Sequence, residues 1–133
     1  MTDPDFEVIR RAWDGFSRND EAAFRAELHE EIEVVPFGAA MQRQTYRGQE
    51  GVLRWWRDEV LANWEVFRVI PEYFRRAGER IVVTGRWYAR GRESGVELEM
   101  PATWIVTMRD GRIVSWRTFT DRAQAMREVG EPQ

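Results

Sequence analysis

Cysteine is absent from this chain of 133 residues, and so is lysine, which makes all 20 basic residues arginine. Without cysteine there is no disulfide, no thiolate nucleophile and no sulfur ligand for a metal. Histidine occurs once, as His29. A metal site would therefore need carboxylates alone, and neither a metal nor a cofactor is expected. No apolar run approaches the roughly 20 residues of a membrane-spanning helix. The acidic, polar start from Met1 to Phe6 lacks the charged-then-apolar pattern of a signal peptide. The net charge of −3 offers no broad basic surface, so neither nucleic acid nor membrane is an expected partner. There are no repeats and no low-complexity linker. The expectation is one cytoplasmic domain over residues 1–133, with 130–133 as a polar tail.

What is present is apolar and aromatic. Hydrophobic residues make up 43% of the chain and seven are tryptophan, enough for a real core. Phe6, Ile9, Trp13 and Phe16 recur at helical spacing, which predicts a helix over 4–17 with Pro4 in its first turn. Asn19 or Asp20 can cap a short second helix carrying Phe24 and Leu28 inward. Residues 32–37 read as a strand that Pro36 ends, and 38–48 as a loop. A third helix over 50–64 places Leu53, Trp56, Val60 and Trp64 on one stripe, which points Trp56 inward rather than Trp55. The period then changes to two, predicting strands over 65–75, 80–90, 96–108 and 112–120, and a last helix over 121–129. Helices first and a meander afterwards give an α+β fold: a curved antiparallel sheet wrapped around N-terminal helices.

The turns set an expected register. Closing Met108 on Arg112 puts Trp104 opposite Trp116, Ala102 opposite Thr118 and Met100 opposite Thr120. Centring the preceding turn near Glu93 and Ser94 puts Trp87 opposite Met100 and Gly85 opposite Ala102. One face then carries three indoles beside a row of small residues, Gly85, Ala102 and Thr118. Two readings stay open at this point. Helix side chains such as Trp13, Phe16 or Trp56 fill the gap above that row, or the row floors a ligand cavity. The opposite face holds Arg86, Tyr88, Arg90, Glu97, Ile105 and Phe119, with Arg90 and Glu97 as a cross-strand ion pair. A homodimer interface fits that outer face.

Several strings resemble the SnoaL-like, nuclear-transport-factor-2-like (ketosteroid isomerase-like) superfamily. They are Tyr46-Arg47-Gly48 before the third helix, Asn19-Asp20 between the first two, and Asp110 to Arg117 leading to Phe119-Thr120-Asp121-Arg122. The resemblance spans nearly the whole chain. It implies a cone-shaped sheet with a pocket at its open end, which favours the cavity reading. It does not settle activity, because the superfamily includes isomerases, cyclases, hydrolases and binders. The carboxylate base of ketosteroid isomerases matches Val35 here, and their oxyanion hole matches Ala12 and Trp104. The Arg and Asp residues of limonene-type epoxide hydrolases match Gly85, Trp87 and Thr118. The inward acid and His of SnoaL-type cyclases have no counterpart on the last strands. None of the matching residues moves a proton.

The expected pocket therefore draws on Trp13 and Phe16 from the first helix, Val35 and Phe37 at the end of the first strand, and Trp56 from the third helix. The sheet adds Gly85, Trp87, Met100, Ala102, Trp104, Trp116, Thr118 and Thr120. Tyr46, in the loop with Met41, Gln42 and Gln44, closes its mouth. Glu33 and Tyr46 are the candidate catalytic groups. His29 is expected to bond carbonyls at the end of the second helix, and Asp121 to cap the last one. The expected function is binding of a small hydrophobic molecule, polyketide- or terpenoid-like, with weakly specified catalysis. An isomerase, cyclase or epoxide hydrolase with a nonstandard acid–base set is one alternative. A dimeric interaction domain without a ligand is another.

Overall fold

Asp3 opens the first helix: its carboxylate accepts the Asp5 N–H at 2.9 Å, and Pro4 follows at a position that needs no donor. The computed structural model describes residues 3–36, 45–119 and 121–130. Helix α1 (Pro4–Ser17) buries Ile9, Ala12, Trp13 and Phe16. The chain reverses at Asn19, and the Asp20 carboxylate caps α2 (Glu21–Ala26) by accepting the Ala23 N–H at 3.1 Å. The two helices touch backbone to backbone at Gly15, where a Cβ would stand 2.7 Å from the Phe24 nitrogen.

Strand β1 (Leu28–Val35) begins earlier than its apolar pattern predicts, and His29 lies on it rather than on a helix end. The imidazole Nδ1 accepts the Glu31 N–H at 3.0 Å. The short strand β2 (Tyr46–Arg47) pairs with β1 and leads into α3 (Gly48–Trp55), which continues as a π-helical turn over Trp56–Leu61. Four long strands follow: β3 (Trp64–Ala77), β4 (Arg80–Gly91), β5 (Glu97–Arg109) and β6 (Arg112–Phe119), then α4 (Arg122–Glu128). The six strands form one curved, open sheet in the order β2-β1-β6-β5-β4-β3. Only β1 and β6 run parallel, a pairing that no turn could announce. The fold is the expected α+β cone, with α1 in its concave face. No helix of the described residues is long and apolar enough to cross a membrane.

The β4–β5 register is the expected one: Trp87 lies opposite Met100, Gly85 opposite Ala102 and Val83 opposite Trp104. The β5–β6 register is not. The hairpin loop is shorter than expected, Arg109 pairing with Arg112 around Asp110 and Gly111. Their φ values of 53° and 75° fit a type I′ turn. A bulge at Val114 adds a further slip. The total displacement is two residues, so every side chain keeps its face but changes its neighbour. Trp104 faces Thr118, and Trp116 faces Val106.

The outer face is partly covered. Ile105 and Phe119 pack against Ala125 and Val129 of the C-terminal segment, so they are not open for a partner. Asp121 caps α4 as expected, accepting the Ala123 N–H at 2.9 Å. Arg90 does lie opposite Glu97, but its guanidinium pairs with Glu65 at 3.2 Å, while Glu97 accepts the Tyr88 hydroxyl.

Candidate cavity

Aromatic side chains crowd the inner surface. Trp13 descends from α1 onto the sheet and sits 4.9 Å from the Trp104 ring and 5.9 Å from Trp116, centroid to centroid. Its side chain is fully buried, and it fills the interior beside the small-residue row. That row is also interrupted. Thr118 has moved one pair along, and Gly85 is not open floor: a Cβ there would stand 2.1 Å from the Ile70 carbonyl oxygen. The space is taken by the β3 backbone, which bulges between Pro71 and Tyr73. Ala102 is buried and is not among the residues lining the aromatic cavity described below.

A cavity of about 280 Å³ among the described residues shares Thr118 with that row. Of the residues proposed for a pocket, Phe16, Trp87, Trp104, Trp116 and Thr118 line it. So do Trp55, Val60, Trp64, Phe67, Val69, Leu98 and Pro36, which were not expected. Phe67 stacks on Trp87 at 5.6 Å with 10° between the planes, and Trp64 meets Phe67 edge-on at 6.0 Å. Phe16 joins the walls through Trp55 at 6.0 Å and Trp116 at 6.1 Å.

Two irregularities hid these residues. In the π-helical turn each bond spans one residue more than in an α-helix, so the stripe of the third helix slips. Trp55 and Trp56 are both buried as a result. Trp55 faces the cavity, whereas Trp56 packs on Phe24 at 5.7 Å and does not line it. On β3 the turn at Gly78 and Glu79 pairs Ala77 with Arg80. A regular ladder from there would set Val69 opposite Tyr88, on the outer face. The bulge sets it opposite Trp87 instead, and brings Phe67 inward with it. The tandem Trp55-Trp56 is the only local signal that pointed to the first slip.

One charged side chain is among the described residues lining the cavity: Glu59, on the π-helical turn. Its carboxylate accepts the Tyr46 hydroxyl at 2.7 Å, and its backbone carbonyl accepts the Asn63 amide at 2.7 Å. The Tyr46 ring lies 5.7 Å from Trp55. Burial, reinforced by the Glu59 carboxylate, pushes the Tyr46 phenol up to about 12, so it stays a protonated donor at neutral pH. Tyr46 thus reaches the cavity through Glu59 rather than lining it.

The other expected site residues separate. Alternation on β1 turns Ile32 and Val34 inward. Glu33 is exposed and held by the Arg47 guanidinium at 3.0 Å, so it does not point into the cone. Val35 is half-buried and lies off the cavity, whose wall takes Pro36 instead. Met100 stands 41% exposed near Leu98, without the cover expected of it. Phe37, Met41, Gln42, Gln44 and Thr120 lie outside the described residues.

No curated protein matches the sequence. Solved structures match closely in shape. A nuclear-transport-factor-2-like protein of unknown function from Burkholderia pseudomallei is 22% identical, with a TM-score of 0.76 over 96% of this chain and 98% of that one. TerC, co-crystallised with polyporic acid, is 23% identical with a TM-score of 0.76, over 97% and 100% of the two chains. A protein described as a SnoaL-like polyketide cyclase, from Jannaschia sp., is 18% identical with a TM-score of 0.73, over 98% and 94%. Such identities speak for the fold alone. The sequence pattern of the SnoaL-like domain runs through residues 9–116, most of the chain, and the protein belongs to the SnoaL-like domain family.

Proposed function

We propose that the protein binds a small, flat, hydrophobic molecule, polyketide- or terpenoid-like, in the aromatic cavity. The observation that carries this reading is the cavity of about 280 Å³ walled by indole and phenyl rings with few polar groups. That size and lining suit a compact cyclic ligand, stacked and desolvated by the rings. TerC, of the same fold, was crystallised with polyporic acid, a ligand name consistent with this class. Addition of naphthol-sized ring compounds should quench tryptophan fluorescence and raise the melting temperature in proportion to ligand concentration. Val60→Trp, which puts a ring into the free volume, should abolish both effects while leaving the circular dichroism unchanged. A native protein indifferent to every ring compound would refute the reading.

The Tyr46–Glu59 pair supports a second reading, proton-transfer chemistry of the isomerase, cyclase or hydrolase kind. A carboxylate at the cavity wall, oriented by a phenol that stays protonated, has the makings of a general base. This role belongs to Glu59 rather than Glu33. It requires a turnover that collapses in Glu59→Gln and survives Glu33→Gln; equal activity in both variants would remove it.

A further inference from the structure

Resting on the ligand-binding reading, we propose that the cavity selects an organic cation: a protonated or fully alkylated amine carried on a small apolar body. The chain holds 20 arginines against 23 acidic residues, so composition alone would bring arginine to a cavity wall about as often as a carboxylate. The described lining contains no arginine, and its one charged member is Glu59. Arg92, in the turn after β4, directs its guanidinium onto the Leu61 carbonyl at 2.7 Å and the Trp64 carbonyl at 3.4 Å.

The indoles of the wall add to this preference. Ring faces are the negative side of an aromatic quadrupole, and tryptophan is the strongest partner for a cation. Trp55, Trp64, Trp87, Trp104 and Trp116 all contribute to the lining. An anionic ligand would meet these rings and a carboxylate, with no guanidinium among the described lining residues to receive it. A neutral ligand without an O–H or N–H donor would leave Glu59 unused. An ammonium group gains from both. The Tyr46 hydroxyl fixes Glu59 through Oε2, and Oε1 takes no hydrogen bond from the described residues, so it is available to a ligand N–H or to a methylated ammonium.

The test uses three probes of similar size on the whole chain: phenyltrimethylammonium, its neutral isostere tert-butylbenzene, and benzoate. Affinities come from tryptophan fluorescence titration, with melting shifts as a second readout. The cation should bind about tenfold more tightly than the neutral isostere, and benzoate should be the weakest. Glu59→Gln, isosteric at an exposed position, should erase that advantage and leave tert-butylbenzene within about twofold of its native affinity. Should the neutral probe equal or outbind the cation, or the advantage persist in Glu59→Gln, the cation inference falls while the hydrophobic-cavity reading stands. If none of the three binds, both fall.

Discussion

At Gly85 a single missing methyl group decides the course of two strands. The Ile70 carbonyl lies where a side chain would begin, at 2.1 Å from an ideal Cβ, and the obstacle is backbone, which cannot swing aside. Strand preference would favour alanine over glycine. The close approach reverses the sign: Gly85→Ala should destabilise by about 1–3 kcal/mol, the range of overpacked cores, visible as a lower urea midpoint. Tyr46 offers a test at the same scale. Its phenol is raised to about 12 in the fold, whereas an unfolded tyrosine ionises near 10. The unfolded chain therefore loses this proton first as pH rises, so Tyr46's contribution to stability is complete below about pH 10 and fades up to about 12. Ultraviolet titration should show Tyr46 ionising late, as Tyr88 does beside the Glu97 carboxylate, and Glu59→Gln should bring Tyr46 down by removing the accepting carboxylate. A Tyr46 phenol titrating normally in the native protein would contradict the pairing.

Elements differ in how openly their residues declare them. Helix α1 was legible because the proline and the apolar stripe agree at Pro4 and the run from Phe6 to Phe16. The β4–β5 register was legible because that ladder is regular from Arg80–Thr107 to Arg90–Glu97. The slips at Val114, at Glu72 and in the π-helical turn were not, because a bulge is chosen by what the element packs against, not by its own residues. The π-helical turn matters most for the site, since it carries Glu59 and Val60 to the cavity. Deleting Asp58, an exposed residue within it, should convert the turn to α-helix and rotate the flanking side chains by about 100° relative to one another. Ring-compound binding should then drop by at least about tenfold with helix content kept. Unchanged binding would mean that the irregular turn does not shape the cavity.

For the molecule as a whole, α4 decides which sheet face is available. It covers Ile105 and Phe119, two of the apolar residues that made the outer face suit a homodimer. Met126, on α4, is buried at 3% exposure. Met126→Asp should lift the helix, expose that patch and make the protein self-associate, seen as a concentration-dependent rise in sedimentation coefficient. A variant that stays as dispersed as the native chain would show that the covered patch has no such tendency. The aromatic cavity, on the other side of the sheet, should keep its ring-compound binding.

The amino-acid sequence by itself determined the main helices and the long strands, their order, the face of β4, β5 and β6 that holds the indoles, and the absence of thiol chemistry. These follow from period, caps and composition, which are local. Only the tertiary structure decided where the aromatic cavity lies, that the β3 backbone closes on Gly85, and that Glu59 rather than Glu33 stands at the cavity wall. Those outcomes depend on two-residue slips and on backbone approach between distant segments. Volume is a property of the assembled walls and is written in no single stretch of chain.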